Sequence, residues 1–257
     1  VKALLALAKQ TVAMHLNDRW IHACGLIAIG FLSLSFYIST LTSAASRIKV
    51  LLDFGLGIAS LVGIVFAIFL GLSTTHSDLK NKVLYFFLSK PVSRGSFLLG
   101  RILGGMFMVF LLYSVMAIAL WCAMRLNTSS PMEGFWICVA LMAFEGGLTF
   151  LFAICSALLL SSMALSSLLT VLIVLVGKSN YLLNEMSEKA SSPALKMLFS
   201  VLHDLLPAFQ RFNVRAFVAY ERSFEVSLLG YGFLYFLGYS FLVYFLATWL
   251  FMRKDIP

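Results

Sequence analysis

The chain has 257 residues, 61% of them hydrophobic and only 12% charged, with a mean hydropathy of +0.97. A soluble domain carries about 25% charged residues, so this chain is too poor in charge to clothe a water-facing surface and reads as an integral membrane protein. Apolar runs continuous over about 20 residues exclude a transmembrane β-barrel, whose segments are short and alternating, and the net charge of +8 reports membrane topology rather than nucleic acid.

Val1 to Arg19 is apolar but interrupted by Lys2, Lys9, His15, Asp18 and Arg19. Residues 1–19 are expected to form a helix lying in the membrane interface, or else to extend the first span into the cytoplasm. No signal-peptide pattern of a short apolar core and a small-residue cleavage site is present there. The first span is Trp20 to Leu41, opened by a tryptophan of the kind that sits at headgroup level. A loop with Arg47, Lys49 and Asp53 leads to a second span over Phe54 to Leu72, whose glycines allow close helix approach. A basic stretch, Thr75 to Arg101, follows, and Ile102 to Met124 is the third span.

From Gly134 to Gly177 the single charge is Glu145. Those residues as one helix would extend about 66 Å, twice what one crossing needs, so they divide into two spans with a turn at Ser161-Ser162. Lys178 to Glu225 is a mixed-charge segment, expected to form short helices, and Val226 to Met252 is the last span. The predicted fold class is all-α integral membrane: a single transmembrane domain over 1–257 with six transmembrane helices.

An even number of spans puts both termini on one side. The N-terminal segment, the basic stretch and the tail hold ten Lys/Arg against three acids; the opposite side holds nine, mostly spread through 178–225. Lys/Arg density in short loops sets orientation, so both termini are expected to be cytoplasmic, with 178–225 external and the protein multi-pass in the inner (cytoplasmic) membrane.

The basic stretch contains five of the nineteen Lys/Arg. At 100° per residue, Leu79, Val83, Phe86 and Phe87 share one face from Asp78 to Ser89. Asp78, Asn81, Lys82, Tyr85 and Ser89 share the other, with Lys80 as the exception. This is an amphipathic helix with one face free for water or a partner. Lys90 precedes Pro91 and is pushed from helical geometry, after which Ser93, Arg94 and Gly95 make the turn into the third span.

Leu88-Ser89-Lys90-Pro91-Val92-Ser93-Arg94, followed by Leu99-Gly100-Arg101, resembles the signature of ABC-2-type transport permeases. Asp78 and Val83-Leu84-Tyr85 match at comparable spacing; Asn81-Lys82 stands where that family often has Gly-Thr, and Arg101 where it commonly has Lys. Leu206-Pro207-Ala208-Phe209-Gln210-Arg211-Phe212-Asn213-Val214-Arg215 is similar to a stretch before the last span in one branch of the family, which includes permeases linked to nitrous-oxide reductase maturation and gliding motility.

The resemblance implies an exporting permease half, paired with a second permease copy or a related chain and with a separate ABC ATPase subunit that binds ATP and Mg. Residues 75–94 would be the cytoplasmic coupling segment. Asp78, Lys80, Asn81, Lys82, Tyr85, Ser89, Lys90, Pro91, Ser93 and Arg94 would meet the ATPase, and Pro207, Phe209, Phe212, Asn213 and Arg215 would belong to an external gate.

The chain itself offers no engine. Gly177-Lys178-Ser179 imitates the end of a phosphate-binding loop, but Leu172 stands where the first glycine is needed and a membrane helix, not a strand, precedes it. No catalytic motif is present, so no enzyme activity, cofactor or nucleic-acid partner is expected. Cys24, Cys122, Cys138 and Cys155 form no CxxC pair, and the methionines have no ligand spacing, so no metal site is predicted.

Glu145 is the remaining functional candidate, because an ionisable residue in the bilayer is costly. It either lines a substrate path, pairs with a base across the bundle, or is a protonated helix contact. Two other classes of function compete with the permease: a non-transporting scaffold anchoring a cytoplasmic partner through the same helix, and an ion-coupled secondary carrier.

Overall fold

The computed structural model describes residues 2–43, 46–80, 94–127, 134–189, 192–219 and 227–253. Among them every regular element is helical: α1 (Lys2–Leu16), α2 (Arg19–Thr40), α3 (Arg47–Lys80), α4 (Arg94–Asn127), α5 (Phe135–Leu159), α6 (Met163–Lys178), α7 (Asn180–Lys189), α8 (Pro193–Leu205), a 3₁₀ turn (Phe209–Phe212), α9 (Arg215–Ala219) and α10 (Ser227–Arg253). Five helices, α2 to α5 and α10, are long and apolar enough to cross a membrane, or six where α6 and α7, bent by 70°, count as one broken span. This is the architecture of a multi-pass membrane protein.

The bundle is built around α3 and α5. Each has 72% of its most apolar window buried, against 17% for α2 and α10, which form the periphery. The two central helices run in the same direction. Gly71 of α3 backs onto Phe150 and Ala153 of α5, and farther along Asp78 shares a cavity with Ile154 and Leu158. Tyr113 of α4 is wedged between Gly63 of α3 and Gly146 of α5, its ring filling the space that two missing side chains leave.

Several sequence boundaries move. α3 begins at Arg47, so Lys49 and Asp53 lie on a helix and not in a loop, and it continues past Leu72 to Lys80. α4 begins at Arg94, so Arg94 and Gly95 form its first turn rather than the turn before it. α3 and α4 each have 34 residues, about 51 Å of helix against a hydrocarbon core of about 30 Å. Propensity and hydropathy do not stop a helix where the bilayer stops, which is why the apolar window alone underestimates both.

α1 is a separate helix, divided from α2 by a turn at Asn17-Asp18, so it does not continue the first span. Leu7, Thr11 and His15, four residues apart, bury one stripe of α1, and the helix lies along α4. The approach needs glycine: a Cβ on Gly104 would stand 2.8 Å from the Ala8 carbonyl oxygen and 2.7 Å from the Thr11 Cβ.

The predicted turn at Ser161-Ser162 is present, between α5 and α6. It is held by hydroxyls: Ser156 Oγ meets Thr170 Oγ1 at 2.6 Å, and Ser166 Oγ donates to the Ser162 carbonyl at 2.9 Å. The 178–225 segment does form short helices where it is described, α7, α8 and α9.

Candidate functional site

Two buried charge clusters stand at different levels of the bundle. The first joins α1, α3 and α4. Asp78 and Arg101 form an ion pair, and Arg101 Nη1 also donates to Thr11 Oγ1 at 3.2 Å. The guanidinium carbon lies 5.4 Å from the centre of the Phe97 ring. Beside this pair, His15 bridges α1 to α3, with Nε2 at 2.9 Å from Thr74 Oγ1 and Nδ1 at 3.1 Å from Asp18 Oδ2. Burial pushes the His15 imidazole below its ordinary value, against the raising pull of Asp18. A cavity of about 20 Å³ bordered by Asp78, Arg101 and Phe251 has room for a single water.

This geometry corrects one expectation. Asp78, expected on the outward polar face of the amphipathic helix, is buried and turned into the bundle at the end of α3, where Arg101 holds it. The 100° projection could not see this, because it treats Asp78 as the start of a new helix and not as the last turn of a span. Arg94 is half-buried in the first turn of α4. Lys80 closes α3, and Asn81, Lys82, Tyr85, Ser89, Lys90, Pro91 and Ser93 lie outside the described residues.

The second cluster is organised by Glu145. Its carboxylate is buried within α5 and meets Lys178 Nζ, the last residue of α6, at 2.8 Å. The register follows from the α5–α6 hairpin. Glu145 lies 14 residues before Leu159, and Lys178 lies 15 after Met163, so both sit about 20 Å from the turn. Of the three readings open for Glu145, pairing across the bundle is the one observed. The Tyr113 hydroxyl is buried nearby without a hydrogen-bond partner among the described residues.

The same place receives the 207–215 segment. With 16 residues, α6 extends about 24 Å and ends short of a full crossing. The chain bends away at Ser179, and the returning segment fills the space beyond. Phe209 and Phe212 are fully buried, Phe209 against Phe152 of α5 and Phe212 against Tyr235 of α10. Pro207 is buried too, and a Cβ on Gly177 would stand 2.6 Å from its carbonyl oxygen, so that helix end must be glycine. The Tyr235 hydroxyl accepts from the Ala208 amide at 2.8 Å. Irregular backbone within a bundle is tolerated where protein covers it, and Phe209 and Phe212, both fully buried, pack it into the bundle.

Asn213 is exposed and accepts from Arg215 Nε at 2.9 Å, orienting the guanidinium toward α3. Arg215 and Lys178 then line a groove of about 330 Å³ between α3 and α6, and Arg215 with Asp53 lines an adjoining cavity of about 290 Å³. Glu145 and the 207–215 motif, unrelated in the sequence, thus meet through Lys178 and Arg215. Lys178, part of a false phosphate loop in the sequence, is here the counter-ion of Glu145.

Among the described residues no group of three or more His, Cys, Asp or Glu side chains is arranged to hold a metal ion. The four cysteines are free, with Cys138 and Cys155 buried.

The fold and these clusters define a class, the multi-pass helical membrane proteins with paired charges inside the bundle. The chain matches no protein-family model and no curated protein.

Proposed function

We propose that this chain is the transmembrane permease subunit of an ATP-driven ABC-2-type transporter, working with a second permease copy and driven by a separate ATPase that docks on residues 75–94. The observation that carries the reading is the buried Asp78–Arg101 pair. It clamps the end of α3 to the start of α4, the two helices that enter and leave the Leu88–Arg94 motif. A force applied to that motif would therefore reach both helices at once, and α3 would pass it to α5 along their shared packing. Packed helices move between discrete arrangements rather than bending continuously, so a clamped helix pair is a suitable lever.

Asp78 then has a clamping role and not a docking one, which leaves Asn81, Lys82, Tyr85 and the 88–94 turn as the contact. The 207–215 segment, seated at the end of α6, would be the gate element on the opposite face.

The test is co-purification. Tagged chain extracted in mild detergent is expected to bring down an ATPase with nucleotide-binding motifs, and Lys82→Glu is expected to reduce its recovery at least fivefold with the permease level unchanged. Recovery of no ATPase from the native membrane would sink the reading. ATP-dependent movement of solute in vesicles separates a transporter from a scaffold that merely anchors the same partner, and movement driven by an ion gradient without ATP would favour a secondary carrier.

A further inference from the structure

The groove between α3 and α6 combines features that a packing defect does not. Its inner wall is apolar, formed by Leu61, Ile64, Ile68, Val171 and Leu175. From Gly57 to Ile68 it follows twelve residues of α3, about 16 Å of helix. Of the wall residues, Leu61 at 64% and Leu175 at 57% stand exposed at the rims, whereas Ile68 is buried at the groove's base, and exposed apolar rims of this kind suit a hydrocarbon cover. One end carries two cations, Lys178 and Arg215. Lys178 is engaged from behind by Glu145, whereas among the described residues no carboxylate pairs with Arg215. Gly57 leaves the guanidinium its place against α3, since a Cβ there would lie 3.1 Å from Arg215 Nη1.

We propose that this groove is a phospholipid site: Arg215 and Lys178 hold the phosphate, and an acyl chain lies along Leu61, Ile64 and Ile68 toward Val171. Arg215 presents a planar fork of donors suited to a phosphate, and Lys178 adds a point charge. An anion at this position balances Arg215, which no carboxylate among the described residues pairs with. Beyond Arg215, Asp53 borders the adjoining cavity and is exposed. A second negative charge in the head group would meet that carboxylate, while an ammonium would be attracted to it. The lipid that fits is therefore zwitterionic, with its ammonium on the Asp53 side, as in phosphatidylethanolamine. The lipid reading does not require the transport reading, although Arg215 belongs to the segment assigned there to the gate.

The experiment is native mass spectrometry of the full chain in detergent with lipids of one chain length. Phosphatidylethanolamine is expected to remain bound, phosphatidylglycerol to be retained several-fold less, and diacylglycerol not at all; inorganic phosphate should not displace the lipid. Arg215→Gln is expected to cut retention at least tenfold and Arg215→Lys to restore part of it. Ile64→Trp fills the groove with both charges intact and should abolish binding, while Asp53→Asn should erase the preference over phosphatidylglycerol.

Because Lys178→Gln alone strands Glu145, the paired Glu145→Gln/Lys178→Gln variant replaces it, and retention should fall several-fold. Each variant is compared at equal unfolding temperature and monodispersity. Equal retention of diacylglycerol, or retention that survives both Arg215→Gln and Ile64→Trp, overturns the proposal. So does displacement by inorganic phosphate, which would make this a free-anion site, or a dimer dissociated by Ile64→Trp, which would make the occupant a second copy of the chain.

Discussion

Arg101 shows how much a single side chain is asked to do in this bundle. It joins three helices by pairing with Asp78, donating to Thr11 and lying over Phe97. Removing one member of a buried pair leaves the other charge uncompensated and costs about 3–5 kcal/mol, whereas replacing both by apolar side chains of similar size is often near neutral. Arg101→Ala is thus expected to lower the unfolding temperature sharply in detergent. Asp78→Leu/Arg101→Met should fold nearly as well as the parent while losing any ATPase-driven response, a combination that separates stability from coupling. Glu145→Gln is expected to preserve the bundle better, because Lys178 is one-third exposed and can turn outward. If Glu145→Gln left activity unchanged at normal protein levels, the pair would be structural only.

His15 adds an acid-labile element at the same scale. Its folded pKa lies below the ordinary 6.5 because burial disfavours the imidazolium, so folding favours the neutral ring. The contribution is full above that ordinary value and is lost as the pH falls from it through the depressed folded value. Unfolding temperature followed between pH 7.5 and 5.5 should drop more for the parent than for His15→Gln, and an equal drop would count against the assignment.

At the scale of elements, α1 depends on glycine. Its contact with α4 leaves no room for a side chain at Gly104, where the Ala8 carbonyl and Thr11 lie against the backbone. Gly104→Leu is expected to lift α1 from the bundle while α3, α4 and α5 remain packed. Limited proteolysis should then cleave within 2–16 faster than in the parent, and Gly25→Leu, at a site with open space, serves as the control. α6 is the other informative element. It carries Lys178 to Glu145 and, by ending there, leaves the vacancy that Phe209 and Phe212 fill. A helix running straight on past Lys178 would keep the Glu145 contact, which the hairpin register sets, but would occupy the space that the 207–215 segment takes.

For the whole molecule, antiparallel alternation of α2 to α6 places the α5–α6 turn on the same side as the end of α3 and the start of α4. We propose, from Lys/Arg density in the short loops, that this side is the cytoplasmic one. Ser161→Cys in a background without the four native cysteines is expected to react with an impermeant thiol reagent in inside-out vesicles and not in intact cells. The reverse labelling would invert the topology and place the basic stretch outside, where no ATPase could reach it.

Hydropathy, charge scarcity and the Ser161-Ser162 interruption were sufficient, without any coordinates, for an all-helical bundle and for where most spans lie, because a helix must satisfy its backbone internally and meet lipid with apolar side chains. Glu145 was legible as costly, and the 207–215 stretch as a motif. Their meeting was not legible, since Lys178 and Arg215 come together only through the length of α6 and the return of the chain beyond it. Nor was the inward turn of Asp78, which depends on α3 running on to Lys80 and on Arg101 about two turns into the facing helix. Local composition is written residue by residue; ion pairs between distant helices depend on register, and only the packed bundle decides that.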